Sequence, residues 1–453
     1  MRVPIHWDVA FFRNSWSIYQ ILSSIGLAEE RRMRISFIAI SILLFLTLTI
    51  MPQTYPVFPR GEYWRFPDAR TLGLAGAGSI SNFTAAAIVL NPAALSKNEL
   101  RLNGQFSIGT RKLEERRSYP IYNRIDDIVE KGTYVINNNW EPITQADLLF
   151  GLNTPYLKTI AIGMHEEMNQ NYTYEEEVRE NIFGDSLLAY NNLSYRSVLR
   201  IYGLAAGFTF GEAAHAGLQV ALLNGNLDKD SSVVFLQRGY TDIKLITNRE
   251  LDNTPIIVSF GAIYDFSTRI SAGANVQLPY TLDYRVKSPQ TDIIGNESIE
   301  YPMQLTAGLE YRAQQILQAR LNIDFTYEWW SNTTYKSDFF EGGEQKKKLD
   351  DVIAAKVGIE HIFHNKIPFR VGFQFRTTYL ERSTSRTLLT AGTGFMGKNW
   401  QVDASGGFSS LDYLAADLFD DRMYEGDRSN SPVDDVEETF FFGLLTLRFY
   451  LQK

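Results

Sequence analysis

The sequence predicts an all-β protein, a 14-stranded antiparallel transmembrane β-barrel with a small N-terminal plug in the lumen. Three observations lead to this fold class: long segments of alternating apolar and polar residues, connections that alternate between short and long, and a Gly- and Ala-rich stretch before the first strand. Successive side chains of a strand point to opposite faces of a sheet, so each alternating segment has one apolar and one polar face.

The clearest strand runs from Leu317 to Trp329, where 13 residues alternate without a fault. Soluble strands average roughly 5–6 residues, whereas a tilted strand needs about 9–11 to cross a bilayer. An even number of such strands closes into a barrel that leaves no free edge. The other predicted strands lie near 100–110, 145–153, 158–168, 194–211, 213–225, 255–266, 270–280, 303–311, 352–363, 369–379, 386–396, 400–408 and 438–451.

The connections between these strands support the barrel independently. Tight joints such as Asn153–Leu157, Gly211–His215 and Phe266–Arg269 alternate with longer polar segments. Outer-membrane barrels have short periplasmic turns and longer outside loops, so we expect the tight joints to lie on one side of the membrane. The expected long loops are 111–144, 169–193, 226–254, 281–302, 330–351 and 410–437.

Composition narrows the class of protein further. The chain has 453 residues, a net charge of −8, 13% aromatic residues and no cysteine. The acidic balance disfavours nucleic-acid binding, and the absence of cysteine excludes disulfides, thiolate catalysis and cysteine-based metal sites. The mean hydropathy of −0.18 is too low for a helical membrane protein, whereas abundant aromatics suit the interfacial girdles of a barrel.

An apolar run at Ile35–Ile50 follows three arginines, Arg31, Arg32 and Arg34. A basic stretch before a short apolar run is typical of a secretory signal, and Met33 is the expected true start; a retained N-terminal anchor is the alternative. The predicted organisation is an N-terminal extension with signal peptide at 1–54, a plug segment at 55–97 and a barrel at 98–453.

The stretch Phe66–Ser96 is rich in glycine and alanine and lacks strand alternation. Thr84–Leu90 is expected to form a short helix, which Pro92 ends because it restricts Asn91 to extended conformations. A plug folded into the lumen and a periplasmic linker are the two interpretations of this segment. The candidate plug residues are Gly73, Gly76, Gly78, Asn91, Pro92 and Ala93.

At this point the chain resembles the FadL family of outer-membrane transporters for hydrophobic compounds. The resemblance rests on Arg70–Gly78 followed by Asn91-Pro92-Ala93, and on the later stretches Leu309–Thr333 and Ile367–Phe373. It implies a barrel plugged by its N-terminal segment, with ligand captured outside and released sideways through the wall. The wider group includes PorV-type barrels of type IX secretion.

Inward positions of the predicted strands carry both charges, including Glu310, Asp324, Glu360, Arg370 and Asp403. Ion pairs that stiffen the lumen and an aqueous permeation path are the two interpretations. An apolar ligand requires an apolar surface, for which the plug and the 226–254 loop are the two sources. The candidate ligand-binding residues are Leu72, Leu74, Ile88, Val89, Leu90, Phe235, Leu236 and Tyr240.

No catalytic motif is present, and neither a cofactor nor a metal is expected; the acidic 410–437 loop is interpreted as solvated. The favoured function is passive outer-membrane transport of hydrophobic small molecules, either long-chain fatty acids or aromatic hydrocarbons. The alternative is a PorV-type barrel that binds exported proteins. The expected partners are outer-membrane lipids and lipopolysaccharide, a hydrophobic small-molecule ligand and the barrel-assembly machinery, with no nucleic acid.

Overall fold

The structure is a computed structural model. It describes residues 62–125, 128–179, 186–236, 241–289, 294–313, 318–339, 343–344, 348–380, 383–419 and 433–452. The predicted signal segment lies outside the described residues, as do Tyr240 and the centre of the acidic loop. Strands are numbered along the chain from β1 (Glu62–Tyr63) to β21.

Fourteen of the described strands form a closed antiparallel barrel, which confirms the predicted fold class. The barrel closes where the first of them pairs with the last, from Leu100–Ser118 to Asp435–Gln452. The barrel strands are β2 (Leu100–Tyr122), β3 (Ile128–Gly151), β4 (Leu157–Asn169), β6 (Leu187–Phe210), β7 (Ala214–Asn224), β10 (Ile256–Asp265), β11 (Ile270–Gln277), β14 (Gln304–Arg312), β15 (Ala319–Glu328), β17 (Val352–Phe363), β18 (Ile367–Thr377), β19 (Ser385–Met396), β20 (Trp400–Ala416) and β21 (Val433–Gln452).

The two faces of the barrel have opposite chemistry, as the alternation predicts. On β15, Ile323 and Phe325 are 40% and 48% exposed on the outer face, whereas Asp324 between them is 1% exposed. Apolar side chains cover the outside of every barrel strand at mid-height, a larger apolar surface than a soluble monomer exposes. Among the described residues, no helix is long and apolar enough to cross a membrane.

One end of the barrel, the turn end, has the short connections; the other, the loop end, has the long ones. At the loop end the structure corrects the sequence analysis, because most of the expected long loops are strands. The β2–β3 and β20–β21 hairpins continue their pairing past 111–144 and 410–437. Apolar alternation stops near the edge of the lipid, whereas backbone pairing between strands continues beyond it, as between Ser118 and Thr133.

The other loop-end strands form a second sheet, in the order β5–β6–β8–β9–β12–β13–β16. It continues from the upper half of β6, and Trp330–Asn332 forms a 3₁₀ helix before its last strand. The added strands are β5 (Tyr172–Arg179), β8 (Leu227–Phe235), β9 (Ile243–Leu251), β12 (Tyr280–Lys287), β13 (Ile294–Tyr301) and β16 (Tyr335–Ser337).

The N-terminal segment, residues 62–98, contains β1, two short helices and a 3₁₀ helix. The helices are α1 (Ala69–Gly73) and α2 (Ala87–Leu90), and the 3₁₀ helix is Pro92–Lys97. The predicted helix over Thr84–Leu90 is therefore present, with a later start. Asn91 is extended, with φ −160° and ψ 107°, as the following proline requires.

Candidate binding site in the barrel lumen

A ring of alternating charges joins α1 to the inner face of the barrel. Three carboxylates and three guanidinium groups follow one another around it, so its charges cancel. Both the helix and four barrel strands contribute, and every member is buried. The six residues, in order, are Asp68, Arg70, Glu360, Arg370, Asp403 and Arg448.

The bonds of Arg70 and Arg370 in this charge ring have the distances of charge-assisted hydrogen bonds. Arg70 binds Glu360 through two parallel bonds, Nε to Oε1 at 2.9 Å and Nη2 to Oε2 at 2.8 Å. Arg370 binds Glu360 and Asp403 at 2.7 Å each. Arg448 completes the ring, 3.7 Å from Asp403 and 3.1 Å from the aspartate that caps α1. Buried charges that are all paired fix one position for the helix.

The glycines of the N-terminal segment lie where its backbone meets the wall. Gly76 and Gly78 have φ of +78° and +102°, conformations that favour glycine. The turn that they form points two backbone amides at Asp324, from Gly78 at 3.0 Å and from Ser79 at 2.8 Å. At Gly73 a Cβ would lie 2.7 Å from Oγ of Ser405. All three predicted glycines therefore permit close approach or a left-handed turn.

The Asn-Pro-Ala motif begins the 3₁₀ helix and contacts three neighbouring strands. The Asn91 side chain accepts a bond from the Ala93 amide at 3.0 Å and donates to the Ala274 carbonyl at 3.3 Å. Wall glycines face the motif: a Cβ at Gly217 would lie 2.1 Å from the carbonyl carbon of Pro92, and one at Gly261 would lie 2.0 Å from Asn91 Oδ1. The Asn-Pro-Ala motif therefore packs against the backbone of the wall strands at these glycines.

Inward glycines elsewhere on the wall repeat this arrangement, and the sequence analysis missed their role. Gly358 and Gly372 are paired across β17 and β18, and both face Leu74. Gly308 faces Ser79, and Gly207 faces the Ser96 amide. The available signal was a glycine at an inward position of strand after strand, where a polar residue is otherwise expected.

Between the N-terminal segment and the loop end lies a cavity, the upper cavity, whose lining is aromatic on one side. Trp64 and Phe66 pack edge to face with ring centroids 4.9 Å apart. Phe442 on β21 lies 5.6 Å from Trp64 and stacks on Phe440 at 6.1 Å. Leu388 on β19 continues this apolar surface. These wall residues were missed, although the runs Thr439–Leu445 and Leu388–Leu389 break the polar alternation of the inner face.

The other side of the upper cavity is polar and predominantly cationic. Arg65, Arg376 and Lys356 line it with Gln277, Gln304 and Gln374. Arg65 is paired with Glu167 at 2.8 Å, and Arg376 with Glu328 at 2.9 Å. Lys356 differs: among the residues that the structure describes, no carboxylate lies within ion-pair distance of its ammonium group. A cation that no described carboxylate pairs, in a cavity lined on one side by aromatic rings, suits an apolar ligand with an anionic group.

The predicted ligand-binding residues divide into three groups. Val89 and Leu90 line the upper cavity. Leu72, Leu74 and Ile88 are at most 1% exposed and pack between the N-terminal segment and the wall. Three others lie away from the lumen site: Phe235 and Leu236 belong to the end of β8, in the second sheet, and Tyr240 lies outside the described residues.

One stretch of the barrel wall is incompletely paired. β3 pairs with β4 only from Ala146 to Gly151; among the described strands, none forms a ladder with residues 135–145 of β3 on that side. Past Met164, β4 has a bulge between Glu166 and Met168, and its residues 165–169 are buried. β5 lies against the inner face of β3, where Asn139 makes two hydrogen bonds to the backbone of Thr173, at 2.9 and 2.8 Å.

Aromatic side chains roof the upper cavity at the loop end. Tyr63 packs 6.1 Å from Tyr301 and 6.2 Å from Trp330, whose ring lies 4.6 Å from that of Tyr379. The turn that carries Trp330 is held by Asp351, which accepts bonds from Tyr327 Oη at 2.7 Å and from the Ser331 amide at 2.8 Å. Partial burial raises the pKa of Asp351, but these bonds outweigh it and hold the pKa below its usual value.

A closed 14-stranded barrel with an N-terminal segment seated in its lumen defines the class of protein: the chain has the fold of FadL-type outer-membrane β-barrels. It matches no model of a known protein family, and no curated protein is detectably similar in sequence. The fold is similar to that of a Pseudomonas aeruginosa FadL homologue, with 12% identity, a TM-score of 0.61, and coverage of 86% of this chain and 99% of that one.

Two further solved structures have the same fold. The toluene transporter TodX of P. putida has a TM-score of 0.59 at 11% identity, with 85% of this chain and 99% of that chain covered. The toluene transporter TbuX of Ralstonia pickettii has a TM-score of 0.54 at 15% identity, with 85% and 98% covered. At such identities the similarity establishes the fold, and the side chains of the lumen must indicate the ligand.

Proposed function

We propose that the protein is a non-enzymatic outer-membrane channel for hydrophobic small molecules that carry an anionic group, with long-chain fatty acids as the representative class. The observation that carries the proposal is the upper cavity, whose lining combines an aromatic wall with Lys356. In the proposed orientation, the turn end of the barrel faces the periplasm and the loop end faces the outside of the cell. The solved structures of the same fold, named as a FadL homologue and as toluene transporters, favour transport of hydrophobic compounds.

The N-terminal segment acts as the plug in this proposal. Its anchors, the charge ring below α1 and the Asp324 contacts, are buried, so water does not compete for them. Arg65 and Trp64, at its start, reach the upper cavity. A ligand bound there contacts the plug directly, and its binding energy is available to move that part of the segment.

Lys356 favours a carboxylate amphiphile over a neutral aromatic hydrocarbon. An unpaired ammonium group in a confined lumen is costly, and an anionic ligand would remove this cost. A neutral hydrocarbon would use the aromatic wall and leave the cation unpaired.

The stretch 135–145 of β3, which forms no described ladder with β4, is the proposed exit. Ligand that leaves the upper cavity between β3 and β4 enters the membrane without crossing the plug. Asn139 holds β5 over this stretch from the inside, so displacement of β5 would accompany release. Passive diffusion down the concentration gradient requires no further energy source.

Two measurements test the proposal. Purified protein in detergent should bind laurate more tightly than dodecanol, which has the same chain and no charge, and far more tightly than toluene. Cells that lack their own FadL-type transporter should take up radiolabelled oleate in a saturable way when they contain this protein, and a deletion of Phe66–Ser96 should alter that uptake.

Heat-modifiable migration must confirm barrel assembly in each case. Equal affinity for laurate and dodecanol would refute the anionic ligand and leave a hydrocarbon channel. An absence of both binding and uptake by an assembled barrel would overturn transport and favour a docking role for exported proteins.

A further inference from the structure

Two glutamines on neighbouring strands, Gln277 and Gln304, form an amide pair in the upper cavity, where β11 and β14 reach the loop end. The two residues are directly opposite one another in the ladder, so their side chains lie side by side, with Cβ atoms about 5 Å apart. Both side chains are buried and line the cavity. The amide pair therefore contacts any ligand that fills this part of the cavity.

Arg65 fixes the orientation of both amide groups. Its Nη2 donates to Oε1 of Gln277 at 3.1 Å and to Oε1 of Gln304 at 3.5 Å. A guanidinium group has donors only, so each glutamine turns its carbonyl oxygen towards Arg65 and its NH2 group away from it. Both Nε2 atoms are buried, and neither has a hydrogen-bond partner among the described protein groups. A buried donor without a partner is costly, and a ligand that accepts from these two atoms would remove that cost.

A third group without a partner lies on the same face of β11. Asn275, two residues before Gln277, is buried and lines the cavity, and its Oδ1 has no hydrogen-bond partner among the described protein groups. The amide pair and Asn275 together supply two donors and one acceptor. A hydroxyl group has the complementary set, because its oxygen accepts two hydrogen bonds and its hydrogen is donated once.

The charges around the amide pair favour an uncharged group at this position. The guanidinium group of Arg65 is already paired with Glu167 at 2.8 Å, and the three amides are neutral. A carboxylate bound here would be buried without a cation of its own, which is costly. The ammonium group of Lys356, which no described carboxylate pairs, lies elsewhere in the cavity, so the two polar sites suit different ends of one ligand.

The strand register gives the separation of these two sites. Gln304 pairs with Glu328, which pairs in turn with Val352 on β17. Lys356 is four residues beyond Val352, towards the turn end. With strands about 4.8 Å apart and a rise of about 3.3 Å per residue, the Cα atoms of Gln304 and Lys356 lie roughly 16 Å apart along the wall. With C–C bonds of about 1.5 Å, an extended chain of roughly 12 carbons spans this separation.

We propose that the amide pair and Asn275 form a second polar subsite that binds a hydroxyl group. The preferred ligands are then amphiphiles with a carboxylate at one end, held by Lys356, and a hydroxyl group at the other. The position of the carboxylate rests on the proposed function, whereas the hydroxyl subsite is built from other residues and is testable without Lys356.

Calorimetry of purified, assembled barrel in detergent tests the subsite with three ligands of one chain length: laurate, 12-hydroxydodecanoate and 2-hydroxydodecanoate. We expect 12-hydroxydodecanoate to bind about fivefold more tightly than laurate, the gain from a hydrogen bond of ordinary strength. The isomer 2-hydroxydodecanoate has the same atoms but carries its hydroxyl group beside the carboxylate, so its affinity should stay within about twofold of that of laurate.

Gln277→Met combined with Gln304→Met removes both donors and keeps side chains of similar length. This double variant should abolish the preference for 12-hydroxydodecanoate over laurate, and Gln304→Met alone should reduce it. Gln219→Met on β7 is the control, because Gln219 is also a buried glutamine of the inner face but does not belong to the described lining of the cavity. The control should keep the preference, and heat-modifiable migration must confirm assembly of each variant.

Equal affinities for laurate and 12-hydroxydodecanoate in the unmodified barrel would overturn the subsite and show that the amides contact only water. A preference that survives in the double variant, or that is lost equally in Gln219→Met, would also overturn it, because the hydroxyl group would then bind elsewhere.

Dodecanol separates this inference from the proposed function, because it has a hydroxyl group and no carboxylate. If laurate binds no more tightly than dodecanol, yet dodecanol binding weakens in the double variant, the anionic ligand is refuted and the hydroxyl subsite stands. If laurate binding depends on Lys356 but dodecanol binding is the same in the double variant, the subsite is refuted and the proposed function stands.

Discussion

The charge ring and the upper cavity use the same residue types in the same barrel, yet they differ in how the charges are paired. In the ring, Glu360 and Asp403 each lie between two guanidinium groups, Asp68 is paired with Arg448, and every cation has at least one carboxylate partner. In the upper cavity, Lys356 lies beside amides, Arg376 and Glu328, and among the described residues no carboxylate comes within ion-pair distance of its ammonium group. A complete network fixes structure, whereas an incomplete one next to an apolar surface is available for a ligand.

The largest expected effect comes from a substitution that breaks the charge ring. Glu360→Gln keeps the size of the side chain but leaves Arg70 and Arg370 buried without their shared carboxylate. Loss of one partner from a buried charge network costs about 3–5 kcal/mol, so we expect that loss in the free energy of unfolding, measured by urea titration in lipid vesicles. A loss below about 1 kcal/mol would mean that water solvates the two arginines once their carboxylate is removed. The pairing of charges would then not distinguish the charge ring from the upper cavity.

The second prediction tests the cavity side. Lys356→Gln should weaken laurate binding by about 1.5–3 kcal/mol, the contribution of a hydrogen bond to a charged group, while the free energy of unfolding stays the same or rises. Dodecanol binding should not change. Lys348→Gln, on an exposed loop, is the control, and the laurate affinity of both variants is measured by calorimetry. An equal loss of laurate affinity in the two variants would contradict a specific site at Lys356.

The third prediction concerns the contact between the N-terminal segment and the barrel wall. Gly217→Val forces a side chain into the backbone of Pro92 and Ala93, and overpacking of this kind costs about 1–3 kcal/mol. Gly443→Val is the control, because a Cβ there would meet only a Thr110 methyl at 3.8 Å. We expect protease cleavage within residues 62–98 to accelerate in Gly217→Val alone; equal protection in both variants would argue against close seating.

The smallest expected effect lies outside both regions, at Asp351. Its lowered folded-state pKa stabilises the protein at neutral pH, and this contribution is lost as the pH falls through that pKa, below the ordinary value of about 3.9. Because the carboxylate is partly exposed, Asp351→Asn should cost less than about 1 kcal/mol. The free energy of unfolding of the variant, measured by tryptophan fluorescence, should also fall less steeply between pH 5 and pH 3. An unchanged pH profile would show that Asp351 does not contribute to the pH dependence of stability.

Local patterns were sufficient for the barrel because lipid and lumen impose a strict period of two. The faultless alternation at 319–328 became β15, and its inward residues Asp324 and Glu328 are buried while Ile323 and Phe325 face outward. Beyond the lipid this constraint disappears, so the sequence did not predict that β2 continues to Tyr122 or that β3 begins at Ile128. The glycines of the N-terminal segment were predicted from their conformational freedom, whereas the wall glycines become visible only when strands are compared, because their signal is recurrence at inward positions of one strand after another.

The sequence by itself determined the 14 barrel strands, the direction of their faces and the presence of a separate small-residue segment, because each follows from residues close together in the chain. Only the tertiary structure decided which charges pair and which face a cavity. Arg70 and Glu360 are 290 positions apart, and Lys356 is four residues from Glu360 on the same strand face. Ring closure and the partner of each lumen charge depend on the register of all 14 strands together, which no single segment encodes.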